Sequence, residues 1–510
     1  MKKTLREILI ATPQARPTRR LSQASRIWDE PISVLRCDSR LATVGTIFFC
    51  LVGKTSDGHS YAPSAYRNGC RIFMVERPLE LPDDALQLQV PDTRHALADC
   101  AAEFYGHPER QLRLIGLTGT KGKTTTSLLI RSLLEAAGIP TGYIGTNGID
   151  YGSFHHQTVN STPESVEIYR YLRHMLDEGI RACVLEVSSQ ALWMERTRGL
   201  CFDTVLFTNL SRDHIGGVEH PDFEHYRDSK RRLFTDYPIG AAVFNAADPH
   251  AAFMAEGVTS PSYFFGLAAS DKTLWRAAHV RPMTKDGRIG VGFEAYRGGT
   301  PVEGTWFLPL PGEFNVQNAL SALTVVCERF GVSPAVAKEA LTRAVVAGRF
   351  ETVTHPALPD VTFVIDYAHN GVSLTSILEA LRVYRPTRLI CLFGSVGGRT
   401  VERRRDLALA AAHRADLCIL TSDNPACEDP CRIIDDIDAA FPPDACPRQK
   451  IPDRAEAIAR AVEMAEPGDI ILLAGKGHEK YQLIGTEYRP FCELDVLQDA
   501  LEQRAGVPIS

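Results

Sequence analysis

One segment constrains the fold more than any other, an apolar run at 112–117 that leads through a glycine-rich loop into a helical pattern. Gly116, Gly122, Lys123 and Thr124 satisfy the spacing G-x-x-x-x-G-K-[ST]. Glycines let backbone N–H groups approach a phosphate closely, and the start of a helix favours negative charge. We therefore expect a strand–loop–helix unit that binds a nucleoside triphosphate, with Lys123 on the β- and γ-phosphates and Thr124 on Mg²⁺. The alternative is an ordinary glycine-rich turn.

The rest of the chain alternates short apolar runs with longer amphipathic segments, which predicts βαβ units and doubly wound parallel sheets. The predicted strands are 112–117, 182–187, 204–208, 241–244, 362–365, 388–393, 417–421 and 470–473. The predicted helices are 124–137, 164–178, 316–330 and 372–383. A length of 510 residues favours about three domains. We place the boundaries near residues 109 and 347.

Composition narrows the function classes. The chain is 44% apolar and 23% charged, as in ordinary globular proteins, and its net charge of −6 gives no general basic surface for nucleic acid. No apolar stretch approaches the roughly 20 residues of a membrane span, and the N-terminus lacks a signal-peptide core. We therefore expect a cytoplasmic protein without nucleic-acid or membrane partners. The 13 cysteines form no C-x-x-C pair, which favours reduced thiols over a metal or disulfide framework.

Polar residues follow several predicted strands, where ligands of open α/β sheets bind. They lie in the segments 160–164, 186–189 and 208–214. Glu186 and His214 are candidate ligands of a divalent metal, because carboxylates and imidazoles suit such ions. Taken singly, His214 is more often a structural histidine.

Taken together, these segments resemble the successive motifs of the Mur ligases. The matching segments are 118–125, 186–189, 208–214, 312–318, 348–351, 366–369, 423–430 and 475–479. The similarity covers nearly the whole chain and is weakest in the first hundred residues and in 255–305. It implies a three-domain α/β architecture. A smaller N-terminal UDP-binding domain would span 1–109, a central ATP-binding P-loop domain 110–347, and a Rossmann-like amino-acid-binding ligase domain 348–510.

The strongest resemblance is to members that extend UDP-N-acetylmuramoyl-L-alanyl-D-glutamate during peptidoglycan precursor synthesis. It implies an ATP-dependent ligase with Mg²⁺ as cofactor, the nucleotide-sugar dipeptide and a free diamino acid as substrates, and a monomeric state. ATP would phosphorylate the terminal carboxylate, and the incoming amine would then attack the acyl phosphate.

The resemblance also implies roles for individual residues. ATP would be bound by Gly119, Thr120, Lys121, Gly122, Lys123, Thr124, Thr125, Asn318, Arg349 and Asp366. The metal ligands would be Thr124, Glu186 and His214, and the catalytic residues Lys123, Lys230, Glu186 and His214. The nucleotide-sugar dipeptide would meet Asn160, Ser161, Thr162, Ser188, Arg196 and, in the uridine region, Ser39. The added amino acid would be bound by Arg399, Asp423, Asn424, Gly475 and Glu479.

Lys230 aligns with the family lysine that becomes carbamylated. A carbamate turns an ammonium into a carboxylate-like anion that can bind a second Mg²⁺. From the residues alone, a solvated helix lysine beside Arg231 and Arg232 would be the simpler interpretation. The resemblance favours the carbamate.

The identity of the added amino acid depends on Ala426. Family members that add meso-diaminopimelate typically carry arginine at this position, where it holds the distal carboxylate. Alanine has neither donor nor charge, so we expect L-lysine. Meso-diaminopimelate and L-ornithine remain alternatives, since one methylene is worth only about 1–3 kcal/mol of discrimination.

Two other hypotheses remain at this stage. A relative within the fold could use another acceptor, such as a folylpolyglutamate synthetase or the ligase that adds D-alanyl-D-alanine. A P-loop module that binds ATP and only signals would belong to a different class. The presence of Lys123, Glu186, His214 and Lys230 together favours chemistry over binding alone.

Overall fold

A computed structural model describes residues 3–18, 27–53, 56–212, 215–216, 219–268, 273–398 and 401–506. The chain divides into two compact units. The first comprises Met1–Trp275 with Ser321–Ser333, and the second Arg276–Leu320 with Pro334–Ser510. His214 and Arg399, both expected in the site, lie outside the described residues.

The main sheet of the first unit is predominantly parallel. Its strands, in spatial order from one edge, are Phe154–His156, Gly148–Tyr151, Thr141–Gly145, Ala182–Glu186, Arg113–Thr118, Phe202–Phe207, Ile239–Asn245 and Ser262–Gly266. Gly148–Tyr151 pairs antiparallel with both of its neighbours, and all the other pairs are parallel. Strand Arg113–Thr118 is the first of these in the chain and lies between later strands on both sides. The strand order therefore reverses beside it, at the position where open α/β sheets bind ligands.

The parallel strands are buried because helices cover the sheet, which explains their continuous apolar runs. The helices of this unit among the described residues are Leu5–Ile8, Ala62–Arg67, Thr93–Tyr105, Lys123–Ala136, Ser165–Asp177, Ser189–Trp193, Phe223–Thr235 and Ala251–Ala255. Helix Lys123–Ala136 buries Leu129, Ile130 and Leu133 completely, and each such side chain contributes about 1.5–3 kcal/mol. Burial of this face fixes the start of the helix at the loop 119–122.

A second, smaller sheet belongs to the N-terminal part of the first unit. Its strand order is Arg16–Pro17, Leu86–Gln89, Ile72–Val75, Thr46–Phe49 and Val34–Arg36, and the last four are parallel. Short 3₁₀ turns at Leu9–Ala11, Ser39–Leu41, Gly58–Tyr61 and Pro108–Arg110, and the strand pair Lys3–Thr4 with Pro31–Ile32, complete this region.

The second unit contains another mostly parallel sheet, in the order Glu351–His355, Leu358–Asp366, Ile470–Ala474, Leu389–Phe393, Leu417–Leu420 and Arg448–Lys450. Its helices are Pro334–Arg343, Gly371–Arg382, Val401–Ala412, Pro430–Ala439, Arg454–Glu463 and Glu493–Arg504. Helix Glu313–Phe330 contains the boundary between the two units. Strand Thr273–Lys285, the hairpin Arg288–Arg297 with Thr300–Leu308, and the pair Tyr481–Ile484 with Glu487–Pro490 are the remaining strands among the described residues.

The predicted doubly wound α/β class is confirmed, and each predicted strand and helix occurs with its ends shifted by at most four residues. The sequence analysis missed the N-terminal sheet and the antiparallel strands at 273–308. No helix among the described residues is long and apolar enough to cross a membrane.

Candidate active site

The glycine-rich loop joins strand Arg113–Thr118 to helix Lys123–Ala136, as expected. Gly119 has φ 147° and Gly122, the residue before the helix, has φ 81°, conformations that side-chain-bearing residues rarely adopt. A Cβ atom on Gly119 would lie 1.9 Å from Thr208 Oγ1. The loop can therefore follow this path only with glycine at 119, and it leaves backbone N–H groups near the helix start for an anion.

Two lysines converge on one carbonyl of this loop. Lys123 Nζ donates to the carbonyl of Gly119 at 2.8 Å and to that of Thr120 at 3.1 Å. Lys230 Nζ donates to the same Gly119 carbonyl at 2.9 Å, and its side chain is only 2% exposed. Thr120 Oγ1 lies 3.0 Å from the hydroxyl of Tyr226, one turn before Lys230 on helix Phe223–Thr235. The interpretation of Lys230 as a solvated helix lysine is therefore wrong.

The other loop residues are held by the neighbouring strand end. Asn209 Oδ1 accepts from the backbone N–H of Lys121 at 2.9 Å, and Thr208 Oγ1 donates to the Lys121 carbonyl at 2.8 Å. Thr124 and Thr125 are buried in the first helical turn. The sequence analysis recognised Asn209 and Thr208 only as members of a polar segment. In the structure, their side chains hold the glycine-rich loop through hydrogen bonds to the backbone of Lys121.

Glu186 ends the strand beside the loop and is 1% exposed. Its carboxylate accepts from Thr124 Oγ1 at 3.1 Å and from the Tyr143 hydroxyl at 2.5 Å. Thr146 adds its backbone N–H at 3.2 Å and its hydroxyl at 3.1 Å. Sequence reasoning missed Tyr143 and Thr146, although both belong to or follow the neighbouring strand Thr141–Gly145. The structure thus brings two of the three expected metal ligands into direct contact.

This arrangement fits a nucleotide with a divalent metal. The loop offers N–H groups and a lysine, and a hydroxyl and a carboxylate stand side by side at its helical end. Among the described residues no group of three or more His, Cys, Asp or Glu side chains could hold a metal ion, and the third expected ligand, His214, is outside that set.

The residues expected to meet the dipeptide substrate form a network next to Glu186. Ser161 Oγ lies 3.0 Å from Thr146 Oγ1, and Thr162 Oγ1 donates to the Glu186 carbonyl at 2.8 Å. The backbone N–H of Ser188 donates to Thr162 Oγ1 at 3.1 Å. Asn160 is exposed at the start of the same loop. Ser39 lies apart from this network in the turn Ser39–Leu41, where its carbonyl accepts from Asn68 at 2.9 Å.

Arg196 behaves differently from a free anion receptor. Its Nε donates to Glu164 at 3.0 Å and its Nη1 to the carbonyl of Thr162 at 3.2 Å. Arg94 donates to the other Glu164 oxygen at 3.3 Å. The guanidinium therefore fixes the loop that carries Ser161 and Thr162.

A pair of histidines was not singled out by the sequence. His220 is buried and His225 is half-buried, and their Nδ1 atoms lie 2.8 Å apart, so one of the two must carry the proton. His220 Nε2 lies 2.9 Å from Ser189 Oγ, next to Ser188. The only sequence signal was their place between the segment 208–214 and Lys230.

In the second unit, Asn318 Nδ2 donates to Asn315 Oδ1 at 3.1 Å, and Asn315 donates to the carbonyl of Pro311 at 2.7 Å. Asp366 ends strand Leu358–Asp366 and accepts from the N–H groups of Phe350 and Ala368 at 2.9 and 2.8 Å. Burial raises the pKa of Asp366, and the charge of Arg349 opposes that shift. The Arg349 guanidinium lies 4.8 Å from the centre of the Tyr367 ring.

The residues expected to bind the added amino acid come from two strand ends of this unit. Asn424 Nδ2 donates to Glu479 Oε2 at 2.9 Å, and Gly475 donates its N–H to the Asp366 carbonyl at 3.0 Å. Asp423 is 2% exposed, and its Oδ2 would lie 2.9 Å from a Cβ on Gly475. Asp423, Asn424, Gly475 and Glu479 therefore form one cluster. Lys476 at its centre was missed.

Ala426 occupies an unusual backbone position. Its φ is 52°, and it exchanges backbone hydrogen bonds with Leu483 at 3.0 Å and Gly485 at 2.7 Å. The loop after strand Leu417–Leu420 is thereby tied to the pair Tyr481–Ile484 with Glu487–Pro490. The methyl group of Ala426 supplies no polar atom to this loop.

Comparison with known proteins agrees with this geometry. Residues 31–105 match the Mur ligase family catalytic domain, 117–326 the Mur ligase middle domain, and 348–477 the Mur ligase glutamate ligase domain. The chain belongs to the Mur ligase family. It is a ligase, and the expected Mur ligase α/β architecture is confirmed.

Individual relatives are consistent with this assignment. The UDP-N-acetylmuramoyl-L-alanyl-D-glutamate–2,6-diaminopimelate ligase of Geobacillus thermodenitrificans (strain NG80-2) is 37% identical over 485 residues, which cover 93% of this chain and 95% of the relative. A solved structure of a ligase of the same name superposes with a TM-score of 0.68 at 27% identity, covering 99% of this chain and 100% of that one. The MurF ligase of Thermotoga maritima in complex with ADP shares the fold, with a TM-score of 0.59 at 17% identity, covering 92% and 97% of the two chains.

Proposed function

We propose that this protein uses ATP to join a free diamino acid to UDP-N-acetylmuramoyl-L-alanyl-D-glutamate, as the third residue of the peptide. The proposal depends mainly on the similarity to the Geobacillus thermodenitrificans ligase, which is named for this reaction and aligns with 93% of the chain. The buried contact between Thr124 and Glu186 beside the phosphate loop supports it, because it joins a phosphate-binding element to a carboxylate in one network. The reaction belongs to cytoplasmic peptidoglycan precursor synthesis.

On the phosphate side, the loop from Gly119 to Gly122 and the first helical turn with Lys123, Thr124 and Thr125 would hold ATP. Asn318, Arg349 and Asp366 are proposed as its other contacts. Thr124, Glu186 and His214 would hold Mg²⁺, which when bound supplies charge neutralisation for the transferred phosphoryl group. Lys123 would leave the Gly119 carbonyl and donate to the β- and γ-phosphates.

Lys230 is proposed to carry a carbamate. It is buried among the residues of the phosphate loop and lies 2.9 Å from the Gly119 carbonyl. A carbamate there would exchange a donor for an anion beside the nucleotide site, where it could serve a second Mg²⁺.

On the acceptor side, Asn160, Ser161, Thr162 and Ser188 are proposed to position the dipeptide, and Arg196 to hold their loop through Glu164. The substrate carboxylate would attack the γ-phosphorus and release ADP. The amine of the diamino acid would then attack the acyl phosphate and expel inorganic phosphate. Positioning of these anions accounts for most of the catalysis in reactions of this type.

The division into a UDP-binding domain at 1–109, an ATP-binding domain at 110–347 and an amino-acid-binding domain at 348–510 is part of the proposal. Ser39 would lie near the uridine, and Arg399, Asp423, Asn424, Gly475 and Glu479 near the added amino acid. The enzyme is proposed to act as a monomer.

Three diamino acids are candidates for the third residue. Ala426 favours L-lysine, because its methyl group offers no donor for a second carboxylate. The names of the 33–38% identical relatives favour 2,6-diaminopimelate. L-ornithine, one methylene shorter than lysine, is a third option.

The test is phosphate release with ATP, Mg²⁺ and UDP-N-acetylmuramoyl-L-alanyl-D-glutamate, with L-lysine, meso-diaminopimelate or L-ornithine supplied separately. Release that requires both the nucleotide-sugar peptide and one amino acid is expected, and mass spectrometry should show the corresponding tripeptide. Release with lysine alone would support the assignment of Ala426. Release with diaminopimelate alone would mean that another donor replaces the arginine. No phosphate release with any of the three amino acids would refute the proposed acceptor chemistry.

A further inference from the structure

Lys476 is buried between the two loops of the amino-acid cluster, with no exposed side-chain surface. Its Nζ donates to Glu479 Oε2 at 2.9 Å and to Asn424 Oδ1 at 3.0 Å. It also lies 3.9 Å from Asp423 Oδ1, within ion-pair range but beyond a hydrogen bond. One ammonium group therefore links the strand end after Leu417–Leu420 to the strand end after Ile470–Ala474.

The amide of Asn424 is largely occupied by this linkage. Its Oδ1 accepts from Lys476 and from the backbone N–H of Leu483 at 3.0 Å, which uses both lone pairs. Its Nδ2 donates to Glu479. Asn424 is thus held by the protein, and its side chain orients the loop that carries Asp423.

Asp423 is the member of the cluster with unused capacity. Its Oδ1 is buried and has no hydrogen-bond partner among the described residues. A buried acceptor without a donor is costly unless a ligand completes it. Two carboxylates and one ammonium leave this cluster with one net negative charge, which suits a cationic ligand.

We propose that Lys476 is a positioning residue that builds the amino-acid pocket. It holds Glu479 and Asn424 in place and leaves Asp423 Oδ1 to receive an ammonium group of the incoming diamino acid. The inference rests on the proposed function, since it needs an amino acid as substrate.

The charges around Glu479 support this role. Burial raises the pKa of Glu479, the charge of Asp423 raises it further, and the Lys476 ammonium opposes both. Burial, and after it the charge of Glu479, also raises the pKa of Tyr367 and of Tyr481. Without Lys476, two buried carboxylates would face each other, and Glu479 would take up a proton at higher pH.

The experiment replaces Lys476 by methionine, which keeps the length of the side chain and removes its charge. The Michaelis constant for the amino acid is expected to rise about tenfold or more, as for loss of a buried charged partner. The constants for ATP and the nucleotide-sugar dipeptide should change less than twofold. The amino-acid constant of Lys476→Met should also fall as the pH is raised, because Glu479 ionises again, whereas the wild-type profile should be flatter over the same range.

Lys450→Met is the matched control, because Lys450 lies in the same unit but is 44% exposed in pairs with Asp435 and Asp438. It should leave all three constants unchanged. Lys476→Arg keeps the charge and should retain the wild-type pH profile. If Lys476→Met does not fold, Lys476→Gln, which also removes the charge but keeps a polar side chain in the buried site, takes its place and should show the same selective rise.

Unchanged amino-acid binding in Lys476→Met, or an equal rise of all three constants, would overturn the inference. Wild-type activity is measured first, so that a failure of the proposed function can be distinguished from a failure of the role proposed for Lys476. A wild type that is inactive with every diamino acid refutes the proposed function. An active wild type whose Michaelis constant for the amino acid is unchanged in Lys476→Met refutes only the role of Lys476.

Discussion

The buried ion pair between Arg454 and Glu493 offers the sharpest test of how the amino-acid loops are supported. Both side chains have no exposed surface. Arg454 donates twice to Glu493 Oε1, at 2.9 and 2.7 Å, and once each to the carbonyls of Ser422 at 2.9 Å and Ala474 at 2.8 Å. Those carbonyls immediately precede Asp423 and Gly475. We therefore expect Arg454→Met to weaken both the fold of the second unit and its amino-acid site.

The magnitude follows from burial. Removing one partner of a buried pair leaves an uncompensated charge and costs about 3–5 kcal/mol. In a folding unit of about 150–250 residues, each kcal/mol lowers Tm by about 2–4 °C, so the shift should be about 6–20 °C. The double variant Arg454→Met/Glu493→Leu removes both charges and should recover much of this loss. Its amino-acid affinity should stay low, because the carbonyls of Ser422 and Ala474 remain without their donor.

Differential scanning calorimetry of the whole chain, together with amino-acid saturation kinetics, measures both effects. The control is Arg343→Met. Arg343 pairs with Glu339 one helical turn away, both are largely exposed, and such a pair contributes about 0.3–0.5 kcal/mol. A transition of Arg454→Met within 2 °C of that control would refute the reasoning, since burial would then have no energetic consequence.

Three further predictions concern the proposed site. Lys230→Ala should abolish ligation, with partial recovery on addition of short carboxylic acids, and full activity without them would contradict the carbamate. Ala426→Arg should lower the use of lysine, because it adds a cation that repels the lysine ammonium, at a residue whose φ is 52°. Unchanged lysine kinetics would place Ala426 outside the pocket. Burial raises the pKa of Asp366 above its ordinary value, so nucleotide affinity should weaken as the pH falls through that raised pKa. Asp366→Asn should lack this acidic limb, as fluorescence titration with an ATP analogue at several pH values can check.

The sequence predicted the central sheets well because their strands are continuous apolar runs next to recognisable loops. Strand Ala182–Glu186 is a clear example, as it is buried on both faces and ends in a charged residue. The antiparallel hairpin Arg288–Arg297 with Thr300–Leu308 was not predicted, because its outer half is exposed and mixes polar with apolar residues.

In the candidate site, the residues that were predicted are those that lie close together in the chain. Gly122 and Lys123 are recognisable from spacing alone, since the phosphate loop is contiguous. Tyr143 could not be found in this way, because its hydroxyl reaches Glu186 across two paired strands. The occupation of Arg196 by Glu164 likewise depends on a fold that brings residues 32 positions apart together. Roles that reside in pairwise contacts need the three-dimensional structure.

The convergence of Lys123 and Lys230 on the Gly119 carbonyl has a consequence for nucleotide exchange. If this loop binds ATP as proposed, Lys123 has an internal acceptor to return to each time the loop empties, so its ammonium would not need to be rehydrated fully. Binding of a triphosphate would then exchange one set of hydrogen bonds for another instead of removing a complete water shell. A lone phosphate ion presents fewer acceptors than a triphosphate and would compete less well with the Gly119 carbonyl. The empty loop would therefore favour ligands that offer more oxygens over inorganic phosphate.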